Sequence, residues 1–240
     1  LKLNRRLAKF VYEKGEMIMH SFSDRVRVEG RSLWSRNALK GVSLRGERLR
    51  REGRKEWRQW SPYTSKIAAG LLKCENSEIL PPIGSTCLYL GSGHGTTISH
   101  LHDQVCGVKN QSNGVIVAVD LSPRCIRDII HLAQSRPGIV PVLADCRDLT
   151  SISPFLSSKV PWLFQDVSQS GQVGIFIQAC KRFLAPGGTG ILSLKSQSER
   201  DASGAFSHAE DALIKAGFTL VERIDLAGWE EKHMLFHVVK

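Results

Sequence analysis

Leu88-Tyr89-Leu90-Gly91-Ser92-Gly93-His94-Gly95-Thr96-Thr97 decides the fold of this 240-residue chain. The apolar run Thr86–Leu90 reads as a strand, and Thr96–Gln104 reads as a helix. Three glycines stand between them, and glycine lets a backbone turn sharply and approach a ligand closely. Alone, the glycine pattern fits a dinucleotide site, a methyl-donor site or a plain tight turn.

The alternation continues on the carboxyl side. Strands are predicted at Val115–Val119, Ile139–Leu143, Pro161–Gln165, Thr189–Leu194, Phe218–Ile224 and His233–Val239. Helices are predicted at Ser122–Ser135, Gly171–Leu184 and Gly204–Ala216. Such alternation implies a mostly parallel sheet wrapped on both faces. On the amino side, Thr64 is placed to cap a helix through Lys66–Leu72, following Ser61-Pro62.

Strand ends discriminate between the readings of the glycine loop. The second strand ends in Asp120, 25 positions past Gly95, where a carboxylate accepts hydrogen bonds from ribose hydroxyls. The third ends at Asp145-Cys146, suited to an adenine amino group, and the fourth at Asp166. One such Asp often only caps the next helix. Three in register with a glycine loop are the layout of S-adenosylmethionine-dependent methyltransferases. NAD enzymes of this fold usually repeat glycines along that edge instead.

Charge separates the first quarter from the rest. Residues 1–60 hold 17 Lys/Arg against 7 Asp/Glu, whereas residues 61–240 hold 16 of each. The excess argues for an anion-binding appendage on a neutral body, with a phosphate backbone as the natural partner; the alternative is a solvated basic face. Short alternating pieces such as Arg25–Glu29, punctuated by Gly30, Gly41, Gly46 and Gly53, read as a small β-rich domain behind a loose basic tail. The chain divides into residues 1–60 and residues 61–240. The six cysteines form no Cys-x-x-Cys pair and fit no zinc pattern, which suggests a reducing, intracellular compartment. No apolar run approaches the ~18 residues of a membrane span. The first residues lack a signal peptide's apolar core.

Four separated motifs in order resemble the fibrillarin-like RNA methyltransferases in their archaeal form, over about Gly46 to Val239. They are Gly46-Glu47-Arg48-Leu49 with Trp57–Ala69, then Leu88–Gly91 through Gly95-Thr96-Thr97, then Asp166-Val167-Ser168-Gln169, and finally Ile191–Lys195 with Glu231-Lys232-His233. The resemblance implies a Rossmann-like class I methyltransferase, α/β, with a seven-stranded sheet beside the small β-rich N-terminal domain. It implies S-adenosyl-L-methionine bound by Gly91, Gly93, Gly95, Thr96, Thr97, Asp120, Leu121, Asp145, Cys146, Asp166, Val167, Ser168 and Gln169. It implies a catalytic group of Lys66, Asp166, Lys195 and His233, and no metal. Departures are Asp120 where family members usually carry Glu, His94 and Cys146 in place of small residues, and Lys232 where an acid often precedes the His.

The chemistry implied is 2′-O-methylation of ribose in rRNA or tRNA. A sulfonium methyl is already activated, so the enzyme chiefly positions and deprotonates the hydroxyl. Two ammonium groups facing each other, partly desolvated, favour a neutral amine on one of them. Lys195 is the preferred base over Lys66, with Asp166 holding an ammonium and His233 orienting the hydroxyl or a phosphate. The resemblance further implies a box C/D ribonucleoprotein: a guide RNA, a Nop-type scaffold protein and a kink-turn-binding ribosomal-type protein. Such a particle would be cytoplasmic in an archaeal cell and nucleolar in a eukaryotic one. Competing readings are a small-molecule methyltransferase, a non-catalytic RNA-binding subunit of a ribonucleoprotein and a nucleotide-dependent oxidoreductase. Trp57 and Trp60 either stack on bases or are buried at the domain junction. His100 and His102, two apart on a helix, point apart. His94 either contacts a ligand or fills the loop.

Overall fold

The computed structural model describes residues 19–75, 79–196 and 204–240. The basic tail expected before residue 19 lies outside the described residues. Strands β1 (Met19–Ser21), β2 (Val26–Glu29), β3 (Ser32–Arg36), β4 (Leu49–Glu52) and β5 (Lys55–Trp60) form an antiparallel sheet in the order β1-β2-β3-β5-β4. The β2–β3 and β4–β5 hairpins each turn on a left-handed glycine, Gly30 and Gly53, at the first loop position.

Helix α1 (Lys66–Lys73) follows β5. Its cap is Ser65, which accepts from the Ala68 amide, and not the expected Thr64. The Thr64 hydroxyl turns back to donate to the Ser61 carbonyl. Then come β6 (Thr86–Leu90), α2 (Thr96–Val105), β7 (Val115–Asp120), α3 (Pro123–Ser135), β8 (Ile139–Leu143) and the short α4 (Leu149–Ile152). Strand β9 (Val160–Gln165), α5 (Gln172–Phe183), β10 (Leu184–Lys195), α6 (Ala205–Lys215), β11 (Thr219–Asp225) and β12 (His233–Val239) complete the chain. The second sheet has seven strands in the order β11-β12-β10-β9-β6-β7-β8. Only β12 runs against its neighbours.

Strand β10 begins five residues before the predicted Thr189, because Pro186-Gly187-Gly188 reads as a turn in sequence. In the structure this stretch is absorbed by a register shift between Leu184 and Thr189, a place where a residue without an N–H is tolerated. Gly187 donates to the Lys240 carbonyl, and Lys240 donates to that of Gly188.

Side chains alternate between two buried faces. Cys87, Tyr89, Ile116, Ala118, Trp162 and Phe164 enter the core shared with α1, α2 and α3. Leu88, Leu90, Val117, Val119 and Leu163 enter the core shared with α5 and α6. Burial on both faces is why these strands read as unbroken apolar runs. Val26, Leu33 and Trp60 of the first sheet belong to the first core, so that core continues across the point between β5 and α1.

Candidate active site

From β6 the chain passes outward through β7 and β8, and β9 returns on the other side of β6. The carboxyl ends of β6 and β9 therefore flank a topological switch point, where open α/β sheets hold their ligands. Gly91 leaves β6 with φ +80°, and a Cβ there would strike the backbone carbonyl of Asp166. The Gly91 and Ser92 amides both donate to the Val119 carbonyl, at 2.9 and 3.0 Å. Asp120 laces the loop to the next helix: one carboxylate oxygen accepts from the Gly93 amide at 2.8 Å, the other from the Ser122 amide at 2.9 Å.

These elements enclose a cavity of about 340 Å³ lined by Gly91, Asp120, Leu121, Ser122, Cys146, Asp166, Val167, Ser168 and Gln169. Of these only Ser122 escaped the sequence reading, although its place as the cap of α3 directly after the acidic strand end is a usable signal. Other predicted residues stand outside the cavity wall. Gly93 and Gly95 shape the loop, Gly95 in the left-handed cap of α2 with Ile129 and Leu132 against the place a Cβ would take. Thr97 is buried and donates to the Ser65 hydroxyl at 3.0 Å, while Thr96 faces Arg45. Asp145 is gripped by Arg147 at 2.6 Å, which holds its carboxyl below the usual range. Cys146 is buried, and burial pushes its thiol up to about 12, so it serves as wall and not as nucleophile.

Four predicted site residues, Lys66, Asp166, Lys195 and His233, stand at the same edge of the sheet. Lys66, the first residue of α1, meets Asp166, the first residue past β9, at 2.8 Å, with side chains 20% and 21% exposed. A cation in the first turn of a helix faces the positive end of its dipole. The Asp166 carboxylate offsets that penalty. Lys195 ends β10 and His233 opens β12, and the two are register partners. Because Leu192 of β10 pairs with Gln165 of β9, Lys195 and Asp166 emerge at one edge. The Lys195 amide donates to Gln172 Oε1 at 3.2 Å. His233 is buried, and its Nδ1 lies 3.0 Å from the Glu231 carbonyl. A carbonyl only accepts, so Nδ1 donates and Nε2 is left for a ligand. Lys232, at φ +61°, turns the chain into β12 and accepts from the Ser196 amide. Among the described residues no group of three or more His, Cys, Asp or Glu is arranged to hold a metal ion.

The remaining aromatic and histidine candidates are interior. Trp60 is buried and stacked on His100, and the Arg27 guanidinium lies 3.8 Å over buried Trp57. His100 faces Ser35 of the first sheet and His102 faces the Pro137 carbonyl, so they do diverge, but both are buried. Arg25, Arg27 and Arg58 are buried as well, so part of the basic excess of residues 1–60 is structural. Exposed members include Arg31, Lys40, Arg45, Arg48, Arg51, Arg54 and Lys55.

Known proteins resemble this chain over most of its length. The family model described as Fibrillarin matches residues 16–240, a longer match than the one read from Gly46 onward. A fibrillarin-like rRNA/tRNA 2′-O-methyltransferase of Thermococcus sibiricus is 36% identical over 210 residues, covering 86% of this chain and 89% of the relative. The solved Aeropyrum pernix fibrillarin, in complex with natively bound S-adenosyl-L-methionine, superposes with TM-score 0.79 at 28% identity, over 93% of this chain and 100% of that one. A fibrillarin/Nop5p complex matches with TM-score 0.74 at 27% identity, over 90% of this chain and 97% of that one. With the glycine loop, the strand-end acids and the Lys66–Asp166 pair in place over nearly its whole length, the chain belongs to the fibrillarin family.

Proposed function

We propose that this protein is an S-adenosylmethionine-dependent RNA ribose 2′-O-methyltransferase, with the cofactor in the cavity behind Gly91 and the reaction at Lys66, Asp166, Lys195 and His233. The observation that carries the reading is the ion pair that Lys66 makes at 2.8 Å with Asp166, a residue that lines that cavity. The cavity fits the cofactor: Gly91 lets β6 lie directly against the Asp166 backbone at the cavity wall, and Gln169 Oε1 has no hydrogen-bond partner among the described residues. Asp120 spends one lone pair of each oxygen on the loop, which leaves acceptor capacity for ribose hydroxyls. The relatives' names and the complex above support the activity and the cofactor.

When bound, S-adenosylmethionine supplies an electrophilic methyl on a positively charged sulfur. Asp166 fixes the Lys66 ammonium at the rim, adding positive potential where the ribose 2′-oxygen loses its proton. Lys195, half-buried on the neighbouring strand, is the amine that takes that proton. His233 offers Nε2 to the hydroxyl or an adjacent phosphate. The substrate is rRNA or tRNA, selected by a box C/D guide RNA in a particle with a Nop-type scaffold and a kink-turn-binding ribosomal-type protein. The fibrillarin/Nop5p complex supports the scaffold. The exposed arginines and lysines of the first sheet, within residues 1–60, supply phosphate contacts. All six cysteines are free, in keeping with an intracellular particle, cytoplasmic in an archaeal cell or nucleolar in a eukaryotic one. Among the described residues no helix is long and apolar enough to cross a membrane.

Lys195→Ala tests the assignment. Transfer of labelled methyl to a guide-matched RNA is expected to fall by about 10²–10⁴-fold, the usual contribution of a general base. Equilibrium dialysis should show S-adenosylmethionine binding nearly unchanged. Cofactor binding lost in parallel with transfer would assign Lys195 to the cofactor site instead.

A further inference from the structure

Cysteine exposure in this fold is uneven. Cys74, Cys87, Cys106, Cys146 and Cys180 are buried, and burial pushes Cys87 and Cys106 up to about 12. Cys125 is half-exposed and is the third residue of α3, just inside the Ser122 cap.

Two side chains complete a relay. Cys125 Sγ lies 3.8 Å from His94 Nε2, and His94 Nδ1 lies 2.7 Å from Asp128 Oδ2. A carboxylate only accepts, so Nδ1 donates to Asp128 and the Nε2 lone pair faces the thiol. Asp128 follows Cys125 by three residues on α3, which puts both on one face. The bond to His94 holds the Asp128 carboxyl below the usual range. Other charged or titratable groups around the cluster are Arg124, Arg127 and His131 on α3 and Arg45 on the loop before β4, mostly positive and so suited to a reactant that carries carboxylates. His94 and Asp128 are 44% and 41% exposed, so a small reactant has access.

We propose that Cys125 is a thiol-exchange site in which His94, oriented by Asp128, activates the sulfur toward small disulfides that carry carboxylates. The Cys125 S–H bond breaks and its proton passes to His94 Nε2. The thiolate forms a bond to one sulfur of the disulfide as that molecule's S–S bond breaks. The departing thiolate takes the proton from His94. The protein then holds a mixed disulfide and one small thiol is released, with no outside oxidant. The adduct stands against His94 and so against the loop Gly91–Gly95. It is therefore expected to weaken cofactor binding, an extension that rests on the cofactor site proposed above.

The test is exchange with oxidised glutathione near neutral pH, followed by intact mass and peptide mapping. One adduct, at Cys125, is expected, and Cys125→Ser removes it. His94→Gln and Asp128→Asn should each slow exchange by about tenfold, since the first removes the proton acceptor and the second the group that orients it. Both should also move the pH of half-maximal rate upward, which a merely structural role would not do. The far-ultraviolet circular dichroism of both variants should match the parent, since their side chains are half-exposed. Adducts spread over several cysteines, or equal rates in parent and His94→Gln, would overturn the site. For the coupling, S-adenosylmethionine affinity is compared in unmodified, adducted and re-reduced protein, with a several-fold reversible loss expected. Binding unchanged by the adduct overturns the coupling. An unmodified protein that does not bind overturns the cofactor reading and leaves the exchange site standing.

Discussion

At Gly91 two independent demands coincide. The backbone is left-handed, at φ +80°, and the space a Cβ would take belongs to the Asp166 carbonyl. Gly91→Ala therefore strains the turn and pushes β6 from β9 where both meet the cavity. We expect a loss of about 1–3 kcal/mol in urea unfolding, the usual cost of such strain, and S-adenosylmethionine binding weakened at least tenfold. A fully stable variant with parental affinity would remove Gly91 from the site. Residues of this kind were legible in the sequence because the glycine loop stands in register with the strand-end acids Asp120, Asp145 and Asp166. Ser122 and Gln172 were not. The signal for Ser122 is its place directly after the acidic strand end, whereas Gln172, whose Oε1 accepts from the Lys195 amide, looks like any other polar residue at a helix start.

Among the elements, α2 shows where periodicity fails. The helix was legible, yet its polar residues His100, His102, Asp103 and Gln104 are all buried. A polar helix face is ordinarily read as solvated. Here the first sheet covers it, and no local pattern announces a cover supplied from 40 or more residues away. Asp103 accepts from Arg58 at 2.8 Å and from Arg136 at 2.7 Å, and also from the Ser35 hydroxyl and the Ala38 amide. Burial pushes its carboxyl up, but the two guanidiniums and the hydrogen bonds outweigh it and hold the group well below the usual range. One carboxylate thus ties the first sheet, α2 and the end of α3 together. Asp103→Ala leaves buried Arg136 without its carboxylate and buried Arg58 with Glu47 alone, and a cost of about 3–5 kcal/mol is expected in denaturant unfolding. A cost under about 1 kcal/mol, that of an exposed pair, would show that the network is solvated.

For the molecule as a whole, the basic first quarter was legible as a charge excess but not as a division of labour between buried and exposed cations. Buried Arg58, together with buried Arg136 of the second part of the chain, sets a pH limit through the neighbouring histidines. His102 Nε2 donates to the Pro137 carbonyl at 3.1 Å, and its Nδ1 faces Arg136 Nη1 at 3.3 Å. Since guanidinium only donates, His102 must be neutral in the folded protein. Burial, then Arg136, lowers it to about 4, and burial with Arg58 holds His100 well below its usual range. As pH falls through ~6.5 the unfolded chain takes up these protons while the folded chain does not, so stability declines. For His102 the decline ends at about 4, where the folded state also titrates, and amounts to roughly 3 kcal/mol. Asp103 adds its loss only below the ordinary carboxylate range, near ~3.9, so the two effects separate along the pH axis. Urea unfolding at successive pH values should show the earlier decline in the parent and a shallower one in His102→Gln, which keeps a donor and an acceptor but does not titrate. Equal slopes in the two proteins between about pH 6.5 and 4 would mean that this imidazole is already solvated or charged in the fold.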